Sequence, residues 1–439
     1  MIRAALRLAA VAGLLSQSAA AQEPAAPASP AASAIPALPA DVRVLTGAGA
    51  GGSHWQALVP AHWNGTVLVW SHGYNPRLVA PDPGPPAMRV LLLTRGDALL
   101  ASDYGAAGWA LAEAVPAQRS AIAGFAAAAG RPRRVIAWGA SMGGLVTTAL
   151  AEEPHPAIDG AFAMCPSIGG AVGMMNMALD GAFAFRTLVA PDAGLELVRV
   201  GDDRANSRKA EAALVAAMAT PQGRARVTLA GVLGGIPVWT RPDRPEPAAG
   251  DWLAQSDEIA AAFVAGTFLP RQDQEARAGG VFSWNRGVDY AAQLDRSARA
   301  TLVQASYKAA GLDLAADLAR LAAAPRIAAD PAAVRWMLAH YTSDAHPRVP
   351  LVSLQATGDG MTSPSLQRSY AEGADPAMMQ PLWWRGAGHC TQPPASMLAA
   401  LDHLERRIVT GRWGPRPAGT IAYTPPPMLR PCLRGRACR

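Results

Sequence analysis

The chain has 439 residues, half of them hydrophobic, which excludes global disorder and leaves room for one large domain with an insertion or for two domains. Its formal charge of +6 rests almost entirely on scattered arginines, since the only lysines are Lys209 and Lys308 and the one basic cluster is the tail Arg430, Arg434, Arg436 and Arg439. No basic stripe is interleaved with aromatics, so nucleic acid is not expected as a partner.

At the amino terminus Arg3 and Arg7 stand before and within an apolar run over 6–15, and small residues at 19–21 precede Gln22. This reads as a signal peptide over 1–21, with an uncleaved anchor as the alternative. No later stretch of about 20 uncharged apolar residues follows, so no stable membrane insertion of the mature chain is expected. Residues 22–40 alternate Ala, Pro and Ser and read as a linker. The four cysteines fit a secreted or periplasmic location. Cys432 and Cys438 close a short loop and read as one bridge; Cys165 and Cys390 either pair or remain two buried thiols, and the sequence leaves that open.

From Asp41 the composition changes. Val42–Leu45 and Trp55–Val59 read as short antiparallel strands, and Thr66–Ser71 is an uninterrupted apolar strand ending in His72-Gly73-Tyr74. A glycine beyond the end of a parallel strand lets backbone amides point into a ligand crevice, which makes the Tyr74 amide a candidate donor; a plain tight turn is the alternative. Met88–Thr94 is expected to be helical, Asp97–Ser102 a strand and Glu113–Gly130 an alanine-rich helix. Strand and helix alternating at this spacing imply right-handed crossovers and a parallel sheet.

Next comes the run Arg134–Leu150: a buried strand, the turn Gly139-Ala140-Ser141-Met142-Gly143, and a helix from Met142. A serine in so sharp a turn needs flanking glycines, because a Cβ there would strike the adjoining strand or helix. Five letters alone are weak evidence, but the apolar strand before and the apolar helix face after make Ser141 a candidate nucleophile. Ile158–Cys165 is a further strand, and the next begins near Pro350. The segment 173–347 between them has a helical pattern broken by prolines and concentrates the chain's aromatics. It reads as a cap, mostly self-packed, with a few rings toward a substrate pocket. Val349–Gln355 and Met379–Trp384 resume the sheet, Pro394 to about Thr410 forms a closing helix capped by Gly411, and 416–439 is a tail.

A serine hydroxyl is a poor nucleophile at neutral pH and needs a base, and the base needs a carboxylate to fix its tautomer. Of eight histidines, only His389 follows a terminal strand in a glycine-flanked loop. Asp359 sits in the turn after the preceding strand; Asp103, Asp180 and Asp202 compete with it. The chain order Ser141, Asp359, His389 selects Asp359. The oxyanion would be held by the Tyr74 and Met142 amides.

On Ser71-His72-Gly73-Tyr74, Gly139 to Gly144, Gly358-Asp359 and Gly388-His389, the sequence resembles α/β-hydrolase-fold serine hydrolases over about 45–172 and 348–412. The resemblance implies an α/β fold with an eight-stranded, mostly parallel sheet flanked by helices, carrying here a large, mainly helical cap. The hydrolase core would then be 41–172 and 348–415. It implies acyl-enzyme chemistry with no metal and no organic cofactor. Two departures stand out. Ala140 precedes the nucleophile, so the serine-to-histidine-neighbour disulfide of tannase-like and feruloyl esterases is not available in its usual form, and the large cap sets the chain apart from polyester hydrolases. The expected activity is a serine esterase acting on a small-molecule or oligomeric ester. A serine peptidase of the proline-specific or aminopeptidase type is the alternative, with Asp251, Asp257 and Glu258 as candidate grips for a free amine. A catalytically silent binding protein is the third reading.

Overall fold

Short apolar runs bounded by turn residues become strands that are buried on both faces wherever helices cover them. Thr66–Ser71, Ala98–Ser102 and Gly160–Met164 are buried at every position, whereas Arg43–Ala48 is exposed at alternate residues and lies at the sheet edge. The computed structural model describes residues 41–438 and Leu38. The signal peptide expected over 1–21, and nearly all of the linker expected over 22–40, lie outside the described residues.

Among the described residues one eight-stranded sheet forms from β1 (Arg43–Ala48), β2 (His54–Val59), β3 (Thr66–Ser71), β4 (Ala98–Ser102), β5 (Arg134–Ala140), β6 (Gly160–Met164), β7 (Leu351–Gly358) and β8 (Met379–Ala387). The strand order is β1-β2-β4-β3-β5-β6-β7-β8. β2 runs antiparallel to both of its neighbours, and every pair from β4 to β8 is parallel. This is the mostly parallel sheet that the sequence pattern predicts, and its order is that of the α/β-hydrolase fold.

Alternation along the strands builds two cores. Val67, Val69, Val135 and Ala137 face the helices Leu111–Ala129 and Met142–Glu152, while Leu68, Trp70, Ile136 and Trp138 face Pro86–Thr94 and Pro394–Thr410. Gly411 ends the last helix in the left-handed region at φ 72°. No helix among the described residues is long and apolar enough to cross a membrane.

Between β6 and β7 the described chain is helical, with a core of its own that includes Phe183, Phe185, Phe263 and Tyr307. Its ends do not separate cleanly from the sheet. The helix Ala171–Leu188 packs its first half with the sheet core and its second half with the helical core, and Pro331–Tyr341 returns to the sheet core through Ala333, Met337 and Tyr341. The tail is tied by the Cys432–Cys438 disulfide and by Leu429 and Leu433 in the sheet core. It also inserts Arg430, whose guanidinium lies 2.9 Å from Asp180 with both side chains sealed from solvent.

Candidate active site

The turn after β5 is dictated by sterics. A Cβ on Gly139 would come within 2.4 Å of the Gly143 carbonyl oxygen, and one on Gly143 within 1.9 Å of the Ser71 carbonyl oxygen. Ser141 between them is held at φ 58° and ψ −123°, a sparsely populated positive-φ conformation that costs a non-glycine residue on the order of 1–3 kcal/mol and is kept only where the surroundings enforce it. The enforcement is visible: the Ser141 amide donates to the Met164 carbonyl at 3.0 Å, and the helix Met142–Glu152 starts at the next residue.

The loops after β7 and β8 bring Asp359 and His389 to this turn. His389 Nε2 lies 2.9 Å from Ser141 Oγ, and His389 Nδ1 lies 2.8 Å from an Asp359 carboxylate oxygen. Asp359 is fully buried while His389 keeps a fifth of its side chain exposed, 21%, so the relay opens outward at the serine end. The carboxylate also accepts from the Met361 and Thr362 amides, each at 2.9 Å, and from Thr362 Oγ1 at 2.8 Å. With its lone pairs filled, Asp359 holds one orientation, and with it the imidazole tautomer that leaves Nε2 free to accept from the serine.

The competing groups are occupied elsewhere. Asp103 pairs with His54 at 3.2 Å, Asp202 caps the helix Asp203–Met218 by accepting from the Ala205 amide, and Asp180 pairs with Arg430. His340 stacks on Trp336, His346 pairs with Asp344, and His403 is buried and stacked on Trp413. His72 stacks on Tyr104 with ring centroids 4.0 Å apart, and burial lowers its pKa.

On the other side of the serine, Ser71 pairs in register with Gly139, so the loop after β3 runs beside the Ser141 turn. A Cβ on Gly73 would sit 3.5 Å from both the Ala140 carbonyl oxygen and Ser141 Cβ. The Tyr104 hydroxyl donates to the His72 carbonyl at 3.1 Å and pins that loop. Tyr74 and Ser141 line a shared cavity of about 330 Å³ whose walls include Trp109, Met174 and Phe268. Of the aromatics expected in the helical segment, Phe268 reaches this cavity; Trp109 joins it from the sheet side, although no local sequence pattern marks that residue as facing a site.

Cys165 and Cys390, left undecided by the sequence, form a disulfide between positions 225 apart. Cys390 follows His389, and Cys165 follows Met164, whose carbonyl takes the Ser141 amide. The bridge therefore ties the His389 loop to the end of the strand that supports the Ser141 turn, starting from Cys165 and not from Ala140, the residue before the serine.

No family model matches the chain. An o-phthalyl amidase of Xanthobacter agilis is 29% identical over 316 residues, covering 65% of this chain and 69% of that protein. Among solved structures, a puromycin hydrolase aligns at 13% identity and TM-score 0.39 over 87% of this chain, which spans 41% of that protein's length. The feruloyl esterase B of Aspergillus oryzae aligns at 12% identity and TM-score 0.38, covering 84% of this chain and 80% of that one. The strand order gives this chain the α/β-hydrolase fold, and an amidase is among the proteins its sequence is similar to.

Proposed function

We propose that the chain is an exported serine hydrolase that cleaves a carboxylic ester with a compact, apolar acyl group. Ser141 attacks the carbonyl while His389 Nε2 takes its proton, and Asp359 orients the imidazole and stabilises the cation that forms. The Tyr74 and Met142 amides hold the oxyanion, His389 returns the proton to the leaving alcohol, and water repeats the steps on the acyl-enzyme. The observation that carries this reading is the relay of 2.8 and 2.9 Å ending at a hydroxyl on a cavity wall. A cavity of about 330 Å³ lies at the small end of ligand sites and suits one ring or a short chain. The segment 173–347 acts as a cap that supplies Met174, Phe268 and Leu269 to that cavity. Two disulfides support an oxidising compartment.

An amide is the second reading, favoured by the amidase relative. A peptidase that grips a free amine loses its expected acids, because Asp251 caps a helix, Asp257 pairs with Arg224 and Glu258 pairs with Arg241. Glu211 lines the cavity and is the carboxylate such a reading would have to use.

The test is a matched set: 4-nitrophenyl benzoate, the corresponding benzoyl nitroanilide, and alanine nitroanilide, each on the wild type and on Ser141→Ala. The ester is expected to turn over fastest, with a loss of about 10⁴-fold or more in the alanine variant. Retained turnover in that variant would remove Ser141 from the chemistry. Comparable kcat/KM on ester and anilide would move the reading to an amidase, and preference for the free-amine substrate would restore the peptidase.

A further inference from the structure

A second cavity, of about 630 Å³, lies behind the ends of β7 and β8. Its walls come from the loop around Trp239, the start of the helix Ala300–Ala309, Thr357 of β7, Arg385 of β8 and Tyr423 of the tail. It shares no lining residue with the Ser141 cavity, although Thr357 and Arg385 precede Asp359 and His389 by two and four residues.

Two guanidinium groups line it, and they differ in one respect. Arg385 is matched, its Nη2 lying 2.9 Å from the Glu246 carboxylate. Arg299 is not: its Nη1 donates to the Ile236 carbonyl, and among the described residues no carboxylate pairs with it. Burial pushes Arg299 down to about 10, opposed by the nearby Tyr423 phenol. The Tyr423 hydroxyl likewise has no hydrogen-bond partner among the described residues, while its ring packs edge-on against Trp383. A half-buried guanidinium without a counter-ion is costly, and its planar fork of N–H donors fits a carboxylate in two-point contact. The helix Ala300–Ala309 starts beside it with no side-chain cap, so its dipole adds to the positive potential.

We propose that this cavity is a second binding site, for a small organic monocarboxylate. The ligand's carboxylate sits on the Arg299 fork and accepts from the Tyr423 hydroxyl, and its apolar part lies against Val238 and Leu302. The charge count sets the class: with Arg385 neutralised by Glu246, one positive charge remains, which suits a monoanion better than a phosphate dianion.

Benzoate is the probe, titrated calorimetrically into the full chain, with inorganic phosphate and benzyl alcohol as controls. One saturable benzoate site is expected, with phosphate and the alcohol at least about tenfold weaker. Arg299→Met should weaken benzoate about tenfold or more, and Tyr423→Phe about threefold. Glu246→Gln, at an exposed position, should tighten it severalfold by removing the competing carboxylate and freeing Arg385. If Arg299→Met fails to fold, as judged by near-UV circular dichroism, the two opposite shifts in Tyr423→Phe and Glu246→Gln decide the matter. Absence of saturable binding, or unchanged affinity in the variants that fold, would overturn the site; phosphate binding as tightly as benzoate would overturn the ligand class. None of these readouts uses turnover, so they stand or fall apart from the role of Ser141.

Discussion

Asp180 and Asp359 are both fully buried, and they do different things. Asp180 sits in the helical segment and meets Arg430 of the tail at 2.9 Å, with 1% of the arginine side chain exposed. It also accepts from the Tyr290 hydroxyl and the Gln293 amide, so the cluster is closed on every side. Asp359 sits at the rim of the sheet with as many partner residues, but one of them is an imidazole whose far nitrogen reaches Ser141 Oγ, and Ser141 lines a cavity. Burial and hydrogen bonding are thus equal in the two places. The difference lies in the partner: the imidazole beside Asp359 has a second nitrogen 2.9 Å from Ser141 Oγ, and that is the outlet the proposed proton relay uses.

The comparison breaks most sharply at Asp359. Replacement by Asn keeps shape and neutralises charge, and it should lower kcat by about 10⁴-fold, because the amide favours the imidazole tautomer that cannot accept from the serine. Thermal stability should change far less than activity; a modest loss of kcat in steady-state kinetics would mean that the carboxylate does not orient the base. At Asp180 the same substitution should give the opposite split. It removes the buried carboxylate that faces the Arg430 guanidinium at 2.9 Å and should cost about 3–5 kcal/mol by denaturant unfolding, with kcat at low temperature near that of the wild type. If Asp180→Asn impaired kcat while sparing stability, the closed cluster would be coupled to the site and the distinction would fail.

The smallest expected effect tests the tether between the two strand ends. Cys390→Ser, or reduction of the Cys165–Cys390 bridge, should lower kcat by about tenfold through looser placement of His389, since small misplacements of a base are costly. Replacing both Cys432 and Cys438 with serine should leave kcat within twofold or so, because that bridge closes a short loop in the tail. Equal effects of the two replacements, read by burst and steady-state kinetics, would show that the first bridge acts on folding and not on the position of the imidazole.

Much of the candidate site's geometry is legible in the sequence because its constraints are local. Gly139 and Gly143 flank Ser141 for steric reasons that involve residues within one turn of the chain and the neighbouring strand end. The strands announce themselves as apolar runs, and the loops after β7 and β8 are marked by glycine beside Asp359 and His389. The helical segment was legible only as a class. Its prolines and aromatics predict helices with a core, but nothing in their spacing says that Ala171–Ala178 belongs to the sheet core, or that Asp251, Asp257 and Glu258 turn away from the cavity into caps and ion pairs.

What the amino-acid sequence determined by itself was therefore the alternation of strand and helix, the strained turn that presents Ser141, and the chain order of the candidate residues Ser141, Asp359 and His389. Those features follow from side-chain periodicity and from collisions between near neighbours, which any short window of sequence contains. Only the tertiary structure decided that Cys165 pairs with Cys390, that Asp180 is closed off by an arginine 250 positions away, and that Arg299 faces a cavity with no carboxylate paired to it among the described residues. Each of these depends on which distant surfaces come into contact, and residue type at one position carries no record of what the folded chain brings against it.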